Sequence, residues 1–397
     1  MAALHGAFAG LMLLTLAGGG AEAGDWVTDK RTGCRVWDGA PELERRIVWG
    51  GACKDGKAHG NGTVVWLRNG REVRTYEGDY VDGRMHGHGV VRFAAGDRYV
   101  GDFVDGAYHG YGIYEFADGD RYSGSFVEGF FQGPGVYVWA DGGRYEGDFR
   151  EDKFHGHGVR TWPNGDSYEG DFVDDSRTGR GIYVWGPNSA WAGDSYVGDF
   201  VDGERTGRGV YVWGPKSAWA GDRYEGDFVD GHRTGHGVLV WGPDSEWAGD
   251  SYIGDFVDGE RTGHGIYIWA KGDRYEGDFV DGVLHGRGVY IWADGEIYEG
   301  DFVNDNFHGY GILVSSKGDR YEGEWRNDKM HGWGIHILAD GDTFEGPFVR
   351  GEPHGVGTCS DRLRDSSRCE YSHGSFVGWL DDRPGRALSP RKDQRRI

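Results

Sequence analysis

One stretch of sequence recurs along the chain and decides the fold. Its clearest copy spans residues 275–295 and reads Tyr275-x-Gly277-x-Phe279-x-x-Gly282-x-x-His285-Gly286-x-Gly288-x-x-x-Trp292-x-x-Gly295. The copies begin at thirteen aromatic residues: Trp49, Tyr76, Tyr99, Tyr122, Tyr145, Tyr168, Tyr196, Tyr224, Tyr252, Tyr275, Tyr298, Tyr321 and Phe344. Most starts are 23 residues apart and three are 28 apart. Such a period predicts small units stacked on their neighbours, because one unit cannot bury its apolar face alone.

Alternation within the repeat predicts a β-hairpin. Tyr275 and Phe279 alternate with acidic residues, so their rings share one face of a strand. Asp281-Gly282 supplies the left-handed backbone that a tight hairpin turn needs. We expect Trp292 to lie beside Tyr298 on the neighbouring strand of the next repeat, so that the rings form an aromatic ladder.

The pattern resembles the MORN repeat (membrane occupation and recognition nexus), whose Tyr-x-Gly-x-Phe, Asp-Gly and His-Gly-x-Gly elements stand in most copies. The resemblance covers residues 49–361. It implies an all-β fold, an elongated single-layer antiparallel sheet of about thirteen tandem hairpins that forms a twisted ribbon. It also implies binding or scaffolding, because MORN arrays occur beside domains of unrelated chemistry.

Composition and motifs disfavour other classes of protein. Glycine provides 76 of 397 residues with only 10 prolines, and a period of 23 excludes collagen. An aromatic content of 15% argues against disorder. The chain carries no nucleophile-elbow, zinc-protease or kinase signature, and no segment outside the repeats is long enough for an enzyme domain. We therefore expect no enzymatic activity, no catalytic or metal-binding residues and no cofactor.

Histidine recurs at one position of the repeat. The residues are His59, His86, His109, His155, His285, His308, His331 and His354. Equivalent residues about 9.6 Å apart cannot share a metal whose ligand bonds are about 2 Å. We interpret these histidines as hydrogen-bond partners of their turn backbone. Threonine replaces them in four central repeats, at Thr178, Thr206, Thr234 and Thr262.

The ends of the chain predict export and capping. Residues 1–23 have an apolar run from Ala7 to Ala17 and a small-x-small cleavage site at 21–23, typical of a secretory signal. We therefore expect a periplasmic or secreted protein. The remaining segments are an N-terminal cap (24–48), the array (49–361), a C-terminal cap (362–379) and a basic tail, predicted to be disordered (380–397).

Four cysteines flank the array, Cys34 and Cys53 before it and Cys359 and Cys369 after it. In an exported chain, two local pairs predict two disulfides, each worth about 3 kcal/mol. Terminal repeats lack one neighbour, which gives such crosslinks a capping role. A zinc site is disfavoured because no Cys-x-x-Cys pair is present.

The charge balance restricts the partners. The formal net charge is −22, and six of the basic residues lie in the tail 380–397, against three acidic ones. The array should therefore repel nucleic acid and anionic lipid. Only the basic tail is suited to contact with a membrane.

The central block, residues 168–262, differs from the other repeats. Gly-Pro-x-Ser-x-Trp-Ala-Gly-Asp occurs at 186–194, 214–222 and 242–250 and lengthens three loops. The candidate partner-binding residues are Trp191, Trp219, Trp247, Arg177, Arg205, Arg233 and Arg261. Tryptophan and arginine are enriched at protein-binding hot spots. The alternative is that each tryptophan folds back on its own loop and each arginine pairs with nearby carboxylates.

These observations predict a non-enzymatic scaffold that binds another protein or itself, the latter as a homo-oligomer. A carbohydrate-binding module is the alternative, because exposed rings beside carboxylates suit sugar stacking. Association with membrane phospholipid is the weakest of the three hypotheses, given the acidic array.

Overall fold

The structure is a computed structural model that describes residues 24–39, 45–361 and 364–380. The regular elements in these ranges are all β-strands, and none of the described residues belongs to a helix that could span a membrane. The chain divides into two compact units, Met1–Glu204 and Arg205–Ile397. The predicted signal segment 1–23 and residues 381–397 of the tail lie outside the described residues.

The N-terminal unit contains fifteen strands. They are β1 (Asp25–Thr28), β2 (Arg35–Asp38), β3 (Arg45–Lys54), β4 (Lys57–Arg68), β5 (Arg71–Val81), β6 (Arg84–Phe93), β7 (Arg98–Val104), β8 (Ala107–Glu115), β9 (Arg121–Val127), β10 (Phe130–Val138), β11 (Arg144–Arg150), β12 (Lys153–Thr161), β13 (Ser167–Val173), β14 (Ser176–Val184) and β15 (Ser195–Val201). From β3 onward each strand pairs antiparallel with the next. β1 pairs antiparallel with β2, which touches β4 through one parallel bridge.

The other described strands lie in the C-terminal unit, apart from Glu204, the first residue of β16. They are β16 (Glu204–Val212), β17 (Arg223–Val229), β18 (His232–Val240), β19 (Ser251–Val257), β20 (Glu260–Ile268), β21 (Arg274–Val280), β22 (Val283–Ile291), β23 (Ile297–Val303), β24 (Asn306–Val314), β25 (Arg320–Arg326), β26 (Lys329–Ile337), β27 (Thr343–Val349), β28 (Glu352–Pro353), β29 (Gly355–Asp361), β30 (Arg364–Ser372) and β31 (Ser375–Trp379). Successive strands again pair antiparallel, with β27 pairing both β28 and β29. The predicted all-β fold of tandem antiparallel hairpins is confirmed.

The hairpin turns have the backbone that the Asp-Gly pairs predict. Asp281 and Gly282 have φ angles of 49° and 82°, as a two-residue turn of type I′ requires. The paired strands then contain a bulge. Gly277 lies opposite Gly288, but the next residue, Asp278, lies opposite His285. The two residues between His285 and Gly288 are therefore the bulge, which shifts the register within this repeat.

The core of a repeat is a tyrosine ring packed against two glycines. An added Cβ on Gly288 would lie 2.5 Å from the Tyr275 ring, and Gly277 is equally close to the same side chain. The Tyr275 hydroxyl lies 3.0 Å from the carbonyl oxygen of Asp278 and 3.4 Å from that of His285. Tyr275 is fully buried, because the glycines leave room for its ring to lie on the backbone.

The rings continue from one repeat to the next. Tyr275 contacts Phe279 of its own repeat, with centroids 5.2 Å apart, and Phe302 of the next repeat at 5.0 Å, both edge-on. Such edge-to-face pairs stabilise a core beyond the area they bury. Each repeat therefore completes the core of its neighbour.

The predicted contact between Trp292 and Tyr298 is corrected by the register. Tyr298 lies opposite Tyr290, and the Trp292 ring packs on Tyr290 at 4.5 Å and on Phe307 at 5.9 Å. Trp292 follows the last residue of β22, and its N–H donates to the carbonyl oxygen of Glu296 in the turn. The aromatic ladder exists, but its second row lies at the ends of the strands.

The histidines also differ from the expectation. Among the described residues, the Nδ1 atoms of five of them are buried without a hydrogen bond: His59, His86, His155, His285 and His308. In this repeat, the backbone carbonyl oxygen of His285, and not its imidazole, interacts with the core, because it accepts a hydrogen bond from the Tyr275 hydroxyl. No group of three or more His, Cys, Asp or Glu side chains in the described ranges is placed to hold a metal ion.

The cysteines lie in the two pairs that the sequence predicts. Cys34 and Cys53 are joined with Cα atoms 5.9 Å apart, and Cys359 and Cys369 with Cα atoms 5.8 Å apart. These separations are typical of disulfides. The first pair ties β3 to the segment that precedes it, and the second joins β29 to β30.

We predict that mass mapping of non-reduced peptides from protein kept under oxidising conditions recovers Cys34–Cys53 and Cys359–Cys369. Each pair is close in sequence and closes a small loop, so it should form without rearrangement. Peptides that join one end of the array to the other, or four free thiols, would contradict this pairing.

We predict that Gly112→Ala lowers the free energy of unfolding by about 1–3 kcal/mol, the usual cost of overpacking. A Cβ at this residue would lie 2.5 Å from the Tyr99 ring. The matched control is Gly50→Ala, another strand glycine, whose added Cβ would be 3.7 Å from its nearest neighbour, the carbonyl oxygen of Thr63. Urea unfolding followed by circular dichroism measures both, and equal losses in the two variants would refute the packing argument.

We predict that the protein unfolds steeply above about pH 10. Burial raises the pKa of Tyr168, Tyr224 and Tyr252 to about 12, whereas unfolded tyrosines titrate near 10. Between these values the folded state holds more protons, so the free energy of unfolding falls as pH rises. Tyrosinate absorbance should therefore appear together with loss of the β signal. Full ionisation near pH 10 with an intact β signal is the opposite outcome.

Candidate functional site

The lengthened loops of the central block are closed by their own hydrogen bonds. In the loop 242–250, the N–H of Asp250 donates to the carbonyl oxygen of Trp247 at 2.9 Å, and the N–H of Ser245 donates to that of Gly242 at 3.1 Å. The buried Asp250 carboxylate accepts bonds from the Tyr267 hydroxyl at 2.5 Å and from the next repeat's backbone at 2.8 Å. The loop is therefore anchored at its base and ordered along its length.

These loops hold their tryptophans partly in solvent. The exposed fractions of Trp191, Trp219 and Trp247 are 62%, 53% and 46%. Trp219 and Trp247 each touch the tryptophan that precedes their loop, Trp213 and Trp241 respectively, edge-on at 6.4 Å. Their backbone N–H groups also lie near the hydroxyls of Ser217 and Ser245. In these two loops, each indole therefore packs on a neighbouring tryptophan, while about half of its surface is exposed to solvent.

The four candidate arginines occupy a different place. They are partly buried, and each donates from Nη2 to the carbonyl oxygen of the glycine in the next hairpin turn. The distances are 2.7 Å for Arg177 to Gly203, 3.0 Å for Arg205 to Gly231, 3.0 Å for Arg233 to Gly259 and 2.8 Å for Arg261 to Gly282. Each glycine N–H returns a bond to the same arginine's carbonyl. The arginines therefore tie successive hairpins together.

The arginines also replace a ring of the core. Arg233 lies over Tyr224, with its guanidinium carbon 5.6 Å from the ring centroid, and 5.3 Å from that of Trp213. In the later repeat, Phe307 fills the same position and stacks on Tyr298 at 3.8 Å. Burial lowers the pKa of the Arg233 guanidinium. The position thus keeps a cation–π contact where four other repeats have ring stacking.

This geometry separates the candidate tryptophans from the candidate arginines. Arg233 and Trp219 both contact Trp213, but the guanidinium faces the ring core and the backbone while the indole faces solvent. The alternative hypothesis pairs these arginines with nearby carboxylates, whereas the bonds described for them run to carbonyl oxygens. Alignment of the repeats in the sequence contains a signal for this core role of the arginines. Arg233 and Phe307 occupy equivalent positions, since each directly precedes the position of the recurring histidine.

No curated protein matches the chain. Two solved structures show a weak likeness, a selenomethionine-substituted virginiamycin B lyase from Staphylococcus aureus and a streptogramin B lyase. Both are 12% identical with TM-scores of 0.13; the first alignment covers 68% of this chain and 89% of the lyase, and the second 85% and 98%. A likeness at this level carries no argument about fold or activity.

The MORN repeat family matches thirteen segments of the chain. They are residues 54–67, 76–98, 99–121, 122–144, 145–167, 168–189, 196–217, 224–245, 252–274, 275–297, 298–320, 321–343 and 344–362. These segments cover more than half of the sequence and coincide with the hairpins of the structure. The chain belongs to the MORN repeat family.

Proposed function

We propose that the protein is a non-enzymatic MORN-repeat scaffold that binds another protein through the loop tryptophans Trp191, Trp219 and Trp247. The observation that carries this proposal is their exposure on loops that are ordered by their own hydrogen bonds. A large ring that is held in place loses little freedom when it binds. Such rings are the side chains that dominate protein interfaces.

The chemistry of the loops points to an apolar partner surface. The arginines that would have made this region cationic are turned into the core, so their charge does not reach the loop tips. The loop Trp219-Ala220-Gly221 presents an indole followed by small residues, and its equivalents are Trp191-Ala192-Gly193 and Trp247-Ala248-Gly249. A partner with an apolar pocket or ridge at each indole fits this arrangement better than an acidic one.

Export of the protein is part of the proposal. Two cysteine pairs at disulfide distance are consistent with an oxidising compartment, since cytosolic thiols are kept reduced. Together with the signal-like residues 1–23, they favour the periplasm or the cell exterior as the place where the partner is met.

The test compares two triple variants in a pull-down from the native compartment. We predict that replacing Trp191, Trp219 and Trp247 by alanine weakens binding of the captured protein by more than about 2 kcal/mol, measured by calorimetry. The β signal should persist because the indoles lie outside the ring core. The matched control replaces Val201, Val229 and Val257 by alanine. These valines are 56%, 54% and 57% exposed, lie in the repeats that directly follow the three loops, and adjoin the hairpin turns.

The outcomes separate the hypotheses. Loss of the partner only in the tryptophan variant supports the proposal. Equal capture by both variants would place the binding site elsewhere. If a glycan array detects an oligosaccharide whose binding depends on the tryptophans while no protein is captured, the carbohydrate-binding alternative replaces the protein partner. Loss of the β signal would show that the indoles belong to the core.

A further inference from the structure

A cleft lies beside the first strand of the array. β3 pairs with β4 on one side, and no described strand pairs with its other side. Residues of β1 and β3 line a common cleft of about 670 Å³. Clefts that bind ligands commonly measure about 300–1,000 Å³. The cleft is therefore large enough to hold a ligand.

The hydrogen bonds of Trp49 show which way the backbone of β3 points. Its N–H donates to the carboxylate of Asp29 at 3.0 Å, and Arg31 donates to its carbonyl oxygen at 3.2 Å. Both groups of Trp49 therefore face away from β4, where Val64 lies opposite. In an antiparallel ladder such residues alternate with those that bond to the partner strand. The N–H and C=O of Ile47, two residues earlier, consequently face the same free edge.

Asp29 and Arg31 act on Trp49 as a neighbouring strand would, and the cleft continues this edge at Ile47. Ile47 and Val48 line it from β3, and Val27 lines it from β1. An extended chain of about four residues, at about 3.4 Å each, matches the length of residues 45–48, which all line the cleft. The site thus offers outward-facing backbone groups and apolar walls, which are the requirements for binding an added strand.

The charges of the cleft favour an acidic ligand. The buried carboxylates of Asp29 and Asp38 already accept bonds from arginines. Lys30 and Arg46 are exposed and form no ion pair among the described residues. Asp25 is the one exposed carboxylate among the described residues that line the cleft. The cleft is therefore locally basic in a chain of net charge −22.

We propose that this cleft binds an extended acidic segment of a partner protein, which pairs with the free edge of β3 at Ile47. The backbone of the segment bonds to the N–H and C=O of Ile47, and its carboxylates pair with Lys30 and Arg46. Because side chains alternate along a strand, a segment of alternating acidic and apolar residues meets both the cations and the apolar walls. This site is separate from the loop tryptophans and goes beyond the proposed function.

The first test measures binding of acetyl-(Glu-Val)3-amide to residues 24–397 by calorimetry. We expect Lys30→Glu combined with Arg46→Glu to raise the dissociation constant at least about tenfold. The matched control combines Lys54→Glu with Arg71→Glu. These two residues are also exposed but do not line the cleft, so the same change in net charge should leave the dissociation constant within about twofold.

The second test examines the backbone bonds. The same peptide with every backbone nitrogen methylated keeps its carboxylates but cannot donate, and it should not bind. Hydrogen exchange at the N–H of Ile47 should slow when the unmethylated peptide is added. Replacing Trp191, Trp219 and Trp247 by alanine should not alter binding of the peptide, so failure of this proposal leaves the loop site standing.

Several results overturn the proposal. They are an absence of binding up to about 1 mM peptide, equal binding of acetyl-(Lys-Val)3-amide or of the methylated peptide, equal weakening by the two double variants, and slowed exchange that excludes Ile47. A further variant, Glu42→Gln with Glu44→Gln, tests the acidic residues that precede β3 in the chain. Unchanged binding supports the proposal, whereas binding at least about tenfold tighter would identify residues 40–44 as the occupant of the cleft.

Discussion

The packing of one tyrosine ring against two paired glycines is the interaction on which each repeat depends. Because glycine has no Cβ, the Tyr275 ring can lie on the backbone of both strands of its hairpin, and its hydroxyl reaches two carbonyl oxygens beyond them. Tyr275 also makes edge-to-face contacts with Phe279 of the same repeat and with Phe302 of the next repeat. The core is therefore continuous between these two repeats. A single sheet built of short repeats can thus bury large rings, provided that both residues beneath each ring are glycines.

The sequence predicts the local features of this fold well, because they depend on neighbouring residues. Alternation gives the strands, and Asp281-Gly282 gives the turn. The position of Trp292 could not be predicted in this way. Trp292 closes the connection to the next repeat through its bond to Glu296, so Tyr290 and not Trp292 lies opposite Tyr298. Alternation alone does not show at which residue the strand ends and the connection begins.

The candidate site was predicted in part. The inserted loops indicate outward tryptophans, and the structure leaves about half of each indole exposed. The arginines were predicted to join the tryptophans in a partner-binding site because both residue types are enriched at hot spots, whereas Arg233 lies over Tyr224 at a position that Phe307 fills elsewhere. A planar guanidinium can take the place of a ring and still donate to a carbonyl oxygen, which a phenylalanine cannot. The central repeats therefore have a hydrogen bond between hairpins where they carry the long loops, and the anchored bases of those loops hold the tryptophans in place.

The most direct test of this account is proton NMR of the protein with glycine as the only labelled residue. Glycines beneath a tyrosine ring, such as Gly277 and Gly288, should have Hα resonances shifted upfield by the ring current, whereas the turn glycine Gly282 should not. The account predicts two populations of glycine, and the shifted one should move to ordinary values when the chain is unfolded. A single population at ordinary shifts in the folded protein would show that the rings do not lie on the glycines, and the proposed basis of the fold would be wrong.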